Sequence, residues 1–134
     1  MKSSLTLTAR LVPRMGPPSE PAPQGRHDIL VLCTLKNVGK TTIVFGEWGC
    51  SWYANWSTNT PKLRIEGWPC SANMICLRTL APGQAHQKVV PFRFFNTTQG
   101  ERLSFKMRFL SSREHRHKAE NVSLESAPLS IMVL

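Results

Sequence analysis

The segment Arg102-Leu103-Ser104-Phe105-Lys106-Met107-Arg108-Phe109 carries the clearest strand signal in the chain. Leu103, Phe105, Met107 and Phe109 alternate with Arg102, Ser104, Lys106 and Arg108, the period-2 signature of a strand with one face buried and one in water. Everything else about the fold hangs on that alternation. Upstream, residues 96–100 supply a turn, and residues 87–94 read as a strand with Val90, Phe92 and Phe94 on one face. Pro91 has no N–H to give to a ladder, which marks this segment as an edge strand. Ala81-Pro82-Gly83-Gln84 closes a further strand at 74–80, and Pro followed by Gly suits the central positions of a type II turn.

Nearer the start, Leu5, Leu7, Ala9 and Leu11 alternate with Thr6, Thr8 and Arg10, giving a first strand that ends at Pro13. Residues 13–24 hold five prolines, a composition suited to an extended connection, and set the bounds of a proline-rich loop at 13–27. The run Ile29, Leu30, Val31, Leu32, Cys33 and Leu35 fits a central strand covered on both faces. Asn37-Val38-Gly39-Lys40 supplies turn residues before the β-branched segment 41–45, so these two strands are expected to pair as a hairpin. A short strand is expected at 62–65 and a closing strand at 127–134, with a polar connection at 111–125. The count is seven or eight strands with no helix, an all-β chain whose Pro and Gly turns point to an antiparallel β-sandwich. A small barrel is the structural alternative.

The chain has 134 residues, which fits one domain able to bury a core without obligatory cross-links. No apolar run approaches the roughly 20 residues needed to cross a bilayer as a helix. Residues 1–10 carry alternation and Arg10 where a secretory signal would need an unbroken apolar stretch, so they read as strand and no signal peptide is visible. Lys and Arg number 17 against 8 for Asp and Glu, a net charge of +9 that brings polyanions into consideration as partners.

Residues 46–76 gather all four tryptophans, Trp48, Trp52, Trp56 and Trp68, with three of the four cysteines, Cys50, Cys70 and Cys76. This is an elaborated insertion on a β scaffold. Amphipathic rings beside thiols can anchor a partner, line a pocket or staple the excursion to the core. In an oxidising compartment Cys50 with Cys70 is the expected bridge, closing a loop of about 20 residues and contributing about 3 kcal/mol. The protein would then be secreted or periplasmic. Cys33, inside an apolar strand, packs as a small hydrophobe.

Val38-Gly39-Lys40-Thr41-Thr42 resembles the end of a phosphate loop, but Thr34 stands where that motif needs glycine and no helix follows, so a turn is the better reading. Cys50, Cys70 and Cys76 with His86 offer soft metal donors, yet intervals of 19 and 5 residues are not the short knuckles of a structural zinc site. His115 and His117 lie among Arg113, Arg116 and Lys118, whose charge opposes cation capture. No nucleophile signature and no paired acids are present, so no catalytic residues, metal or cofactor are assigned. If segments 87–94 and 102–109 form a hairpin, Lys88, Arg93, Arg102, Lys106 and Arg108 share an exposed basic stripe able to hold a polyanion weakly. Asn55-Trp56-Ser57, Asn96-Thr97-Thr98 and Asn121-Val122-Ser123 match the N-glycosylation acceptor pattern and fall in expected loops.

The passage Leu32-Cys33-Thr34-Leu35-Lys36-Asn37-Val38-Gly39, then Thr41-Thr42-Ile43-Val44-Phe45, resembles the strand, Asn-x-Gly turn, strand of bacterial immunoglobulin-like accessory domains of uncharacterised function. Leu80-Ala81-Pro82-Gly83-Gln84 leading into a Val/Phe strand is similar to them too, and the pair Gly49-Cys50-Ser51-Trp52 and Gly67-Trp68-Pro69-Cys70 resembles an insertion in proteins of this type. The resemblance implies an immunoglobulin-like sandwich and almost no activity. It departs from antibody domains in having no cysteine in the strand at 102–109.

The expected function is therefore a non-enzymatic immunoglobulin-like interaction module whose partner is another protein, with Trp48, Trp52, Trp56 and Trp68 as anchors. A metal-binding sandwich using Cys and His, and a weak polyanion-binding domain, are the alternatives.

Overall fold

A computed structural model describes residues 4–12, 27–70, 73–112 and 119–134. The proline-rich segment 13–26 and the His115/His117 segment lie outside the described residues. The fold is all-β; among the described residues every pair of strands is antiparallel and there is a single 3-10 turn, η1, at Trp52–Asn55. β1 (Leu5–Val12) pairs along its whole length with β2 (Ile29–Asn37). β3 (Ile43–Trp48) leads through η1 into β4 (Trp56–Thr58) and β5 (Leu63–Arg64). β6 (Ile75–Leu80) pairs with β3, and β7 (Ala85–Phe94) lies between β2 and β5. β8 (Arg102–Phe105) and β9 (Met107–Leu110) continue one line of chain, followed by β10 (Ser123–Glu125) and β11 (Leu129–Met132).

The decisive stretch behaves as its alternation demands. Leu103, Phe105, Met107 and Phe109 are all buried, while Arg102, Ser104 and Arg108 are exposed. The ladder breaks at Lys106 because the partner changes there: β8 pairs with β11, whereas β9 is flanked by β10 and β4. Asn59 bridges the break, its Oδ1 accepting the Lys106 N–H at 2.8 Å and its own N–H donating to Lys106 O at 3.2 Å. Bridges from Phe45 to Glu120 and from Gly46 to Ser112 tie β3 to the chain beyond β9. A Cβ on Gly46 would stand 2.4 Å from Ser112 O, so only glycine permits that approach.

Sheets β1-β2-β7-β5, β3-β6, β10-β9-β4 and β11-β8 share one apolar core, in which Val31, Phe45, Phe92, Phe105 and Phe109 are essentially inaccessible. Leu30, Leu32 and Val89 form a second small cluster on the other face of β2, as expected for a strand covered on both sides. Eleven strands replace the expected seven or eight among the described residues: β5 falls in the short strand expected at 62–65, while β4 is added within the excursion, the strand expected at 102–109 divides into β8 and β9, and β10 forms in the segment 111–125 expected as a polar connection.

Three pairings differ from the sequence reading. β2 and β3 are not a hairpin: β2 pairs with β1 and β7, and β3 with β6, so the turn at 37–42 carries the chain from one sheet to another. Asn37 holds that crossing. Its buried amide donates to Thr41 O at 2.8 Å and Leu80 O at 2.9 Å, while its Oδ1 accepts the Gly39 N–H at 2.9 Å. β7 is not an edge strand. β5 reaches only Arg93 and Phe94, so Pro91 has no strand facing it on that side among the described residues and no donor is missed. β7 and β8 do not pair either, each having other partners. The turn at Pro82-Gly83 forms as expected, with Gly83 at φ 85° and Gln84 N–H donating to Ala81 O at 2.9 Å.

Candidate functional site

Strand alternation builds an ionic centre beneath the Trp/Cys excursion. Ile43 and Phe45 face the core from β3, and the same parity puts Glu47 there, with no side-chain exposure. On β7, His86 and Lys88 share the parity of the buried Val90 and Phe92. From β6, Arg78 stands opposite Phe45 in the β3 ladder. All three bases converge on one oxygen, Glu47 Oε1: Arg78 Nη2 at 3.2 Å and Nε at 3.3 Å, His86 Nε2 at 3.3 Å, and Lys88 Nζ at 3.8 Å. The other oxygen, Oε2, is enclosed with no hydrogen-bond partner among the described residues.

Burial is the largest influence on the Glu47 carboxyl and pushes its pKa up. The His86 hydrogen bond and the charges of Lys88, His86 and Arg78 together outweigh it, so the net direction is down and Glu47 is held ionised. The basic groups keep partial access to solvent, with side chains 37% exposed for Arg78, 19% for His86 and 18% for Lys88.

The excursion closes over this centre. The Lys88 ammonium lies 4.6 Å from the centre of the Trp52 ring, within cation–π range. Trp52 meets Trp68 edge to face at 5.4 Å, and Tyr53 meets Trp68 at 4.5 Å. Trp68 Nε1–H donates to Cys50 O at 3.0 Å, and Tyr53 O–H donates to Trp68 O at 3.1 Å. Cys50 and Cys70 form the disulfide expected from the sequence, their Cα atoms 5.9 Å apart. Cross-link, indole N–H and phenol thus fix the ring cluster to a common frame. Cys76, opposite Glu47 in the β3–β6 ladder, is a free half-buried thiol, and Cys33 is buried, its thiol pKa pushed up by loss of solvent.

The four tryptophans do not act alike. Trp48, Trp52 and Trp68 are half-buried, but Trp56 is only 3% exposed and packs against Phe109 at 4.8 Å. Trp56 is therefore a core residue and not an anchor, since β4 lies against β9 and turns that ring inward. The basic stripe is dispersed as well. Lys88 faces inward to Glu47, Arg93 pairs with Glu66 at 3.2 Å, and Lys106 and Arg108 pair with Glu125 at 3.5 and 2.7 Å. Of these five, only Arg102 is exposed without an ion pair among the described residues, on a different sheet from Arg93. Bridged Cys50 and Cys70 have no thiolates to offer a metal, and no metal-holding group of three His, Cys, Asp or Glu occurs among the described residues. Asn55 is buried in η1, accepting the Trp48 N–H at 3.0 Å and donating to Leu110 O at 2.9 Å and Ser112 Oγ at 2.8 Å, so it is not a presentable glycosylation acceptor. Asn96 and Asn121 are exposed.

At the other end of β7 a cleft of about 530 Å³ lies among Leu11, Ile29, Phe94, Ile131 and Met132. Its one acid, Asp28, already accepts the Phe94 N–H at 2.8 Å. Among the described residues no helix is long and apolar enough to cross a membrane. No protein-family model matches the chain, and neither a curated protein nor a solved structure matches it significantly.

Proposed function

We propose that this chain is a non-enzymatic interaction module, an immunoglobulin-like β-sandwich whose recognition surface is the Trp/Cys excursion and whose partner is another protein. The sandwich reading draws on the single apolar core common to all four sheets, with β1-β2-β7-β5 as one layer and β3-β6 joined by bridges to the β9 side as the other. The observation that carries the functional reading is the half-exposed pair Trp52 and Trp68, held edge to face beside a disulfide. Aromatic side chains pre-positioned in this way lose little conformational freedom on binding, and such residues dominate interface energetics. The non-enzymatic part of the reading draws on Glu47, the most buried acid among the described residues, whose one oxygen is engaged by three bases while the other is enclosed.

The test is affinity capture from the source organism with wild-type protein and a Trp52→Ala/Trp68→Ala variant shown to stay folded. A protein retained by the wild type should be lost by at least about tenfold on the variant. If nothing bound depends on the two rings, the reading is wrong.

A further inference from the structure

The ionic centre is out of balance. Among the described residues Glu47 supplies one negative charge to two permanent cations, Arg78 and Lys88, leaving an excess of one even with His86 neutral. Donors also outnumber acceptors. Lys88 Nζ lies at 3.8 Å from Glu47 Oε1, beyond hydrogen-bond length, and makes no hydrogen bond among the described residues. Among the described residues Arg78 directs Nε and Nη2 at the same oxygen and has Nη1 to spare, and His86 commits only Nε2. These groups reach solvent beside the ring of Trp52, in the surface already assigned to recognition.

From this surplus we infer that Arg78, His86 and Lys88 form a carboxylate-binding subsite of the recognition surface. Its ligand is a carboxylate that the partner protein presents next to an apolar or aromatic group. This rests on the module reading and adds the partner's chemistry to it. A monoanion closes the charge count, whereas a dianionic phosphate overshoots it. Charge-assisted hydrogen bonds from Lys88 and Arg78 would supply specificity, and the Trp52 and Trp68 rings would supply the apolar wall. Glu47 acts as the positioning residue: it draws the three bases to one point without spending all their donors.

The probes are three short peptides and inorganic phosphate, titrated while the Trp52 indole N–H resonance is followed by NMR. Acetyl-Glu-Phe-amide carries a side-chain carboxylate, acetyl-Gln-Phe a terminal one, and acetyl-Gln-Phe-amide none. At least one of the acidic peptides should bind saturably with about millimolar affinity and about tenfold more tightly than the neutral peptide. The one that binds better identifies the source of the carboxylate. Arg78→Gln and Lys88→Gln should each weaken that binding by about fivefold or more, while Lys36→Gln, on exposed β2 surface, leaves it unchanged. Should Lys88→Gln fail to fold, the more exposed Arg78 carries the test alone. Equal binding of the neutral peptide, preference for phosphate, or indifference to the substitutions overturns the inference. A partner lost by Trp52→Ala/Trp68→Ala yet held by Arg78→Gln sinks the carboxylate subsite alone, leaving the module reading standing.

Discussion

The Asn37 side-chain amide donates to the Leu80 carbonyl at 2.9 Å across 43 residues of sequence. It thereby locks the end of β6 to the turn that leaves β2, with Gly83 N–H donating to Asn37 O at 2.8 Å from the neighbouring turn. Two sheet-to-sheet crossings meet at one wholly buried side chain.

Asn37→Ala strips partners from the Thr41 and Leu80 carbonyls and from the Gly39 N–H at once. Leaving buried polar groups unsatisfied should cost about 3 kcal/mol. That corresponds to a fall in Tm of about 10 °C, read by thermal or urea unfolding. A loss too small to measure would mean that the crossings are held elsewhere.

Glu47→Gln keeps the shape of the side chain but leaves Arg78 and Lys88 facing each other without a counter-charge. Removing one member of a buried ionic cluster should cost about 3 kcal/mol at neutral pH. The pH dependence has a definite sign. Because the folded carboxyl lies below its ordinary value near 4.3, it adds stability above that pH and loses it as pH falls through the folded value. Wild type should thus lose stability more steeply than Glu47→Gln below about pH 4, in denaturant titrations run at successive pH values. Glu101 and Glu125, also held low by hydrogen bonds from Lys62 and Arg108, contribute equally to both proteins and cancel in the comparison.

Replacing Cys50 and Cys70 together by serine releases a bridge spanning 20 residues, which should lower stability by about 3 kcal/mol. The Trp68 to Cys50 hydrogen bond depends on the same frame, so the near-ultraviolet circular dichroism of the ring cluster should weaken in the native state of the variant. An unchanged aromatic spectrum would show that Tyr53 and the backbone hold the rings unaided.

Trp56→Ala and Trp68→Ala separate core from surface. Emptying the Trp56 site beside Phe109 should cost about 4 kcal/mol, as for other large core deletions. Removing Trp68 forfeits two edge-to-face contacts and part of its burial, about 2 kcal/mol. Equal losses in chemical denaturation would place both rings in the core.

Alternation is legible where strands are long enough to show it: the β8–β9 line follows its apolar parity throughout and β1 does so as far as Arg10, beyond which Leu11 is exposed, while the continuous apolar run of β2 is buried on both faces. β4 has only three residues, too few to display a period, and exists because β9 offers an open edge, whereas the short strand expected at 62–65 forms as β5 against the end of β7. At the 37–42 turn adjacency in sequence favours a hairpin, and nothing local announces that Asn37 bonds to Leu80 and sends the chain into another sheet. The ionic centre did leave a trace. Ile43, Phe45 and Glu47 share one parity, as do His86, Lys88, Val90 and Phe92, so two apolar faces each end in charged residues. Reading charge as a mark of solvent hid that coincidence, and it also put Lys88 on an outer stripe to which its own parity does not assign it.

The long reach of the excursion's contacts shapes how the chain is born. Asn55 bonds to Leu110, 55 residues further on, and Trp56 lies opposite Phe109. A ribosome that has completed β7 has made every tryptophan but not yet the strand that shelters Trp56. Emerging chains therefore display an uncovered indole until β9 has followed, a window in which holdase chaperones should engage them and termination before β9 should yield aggregates.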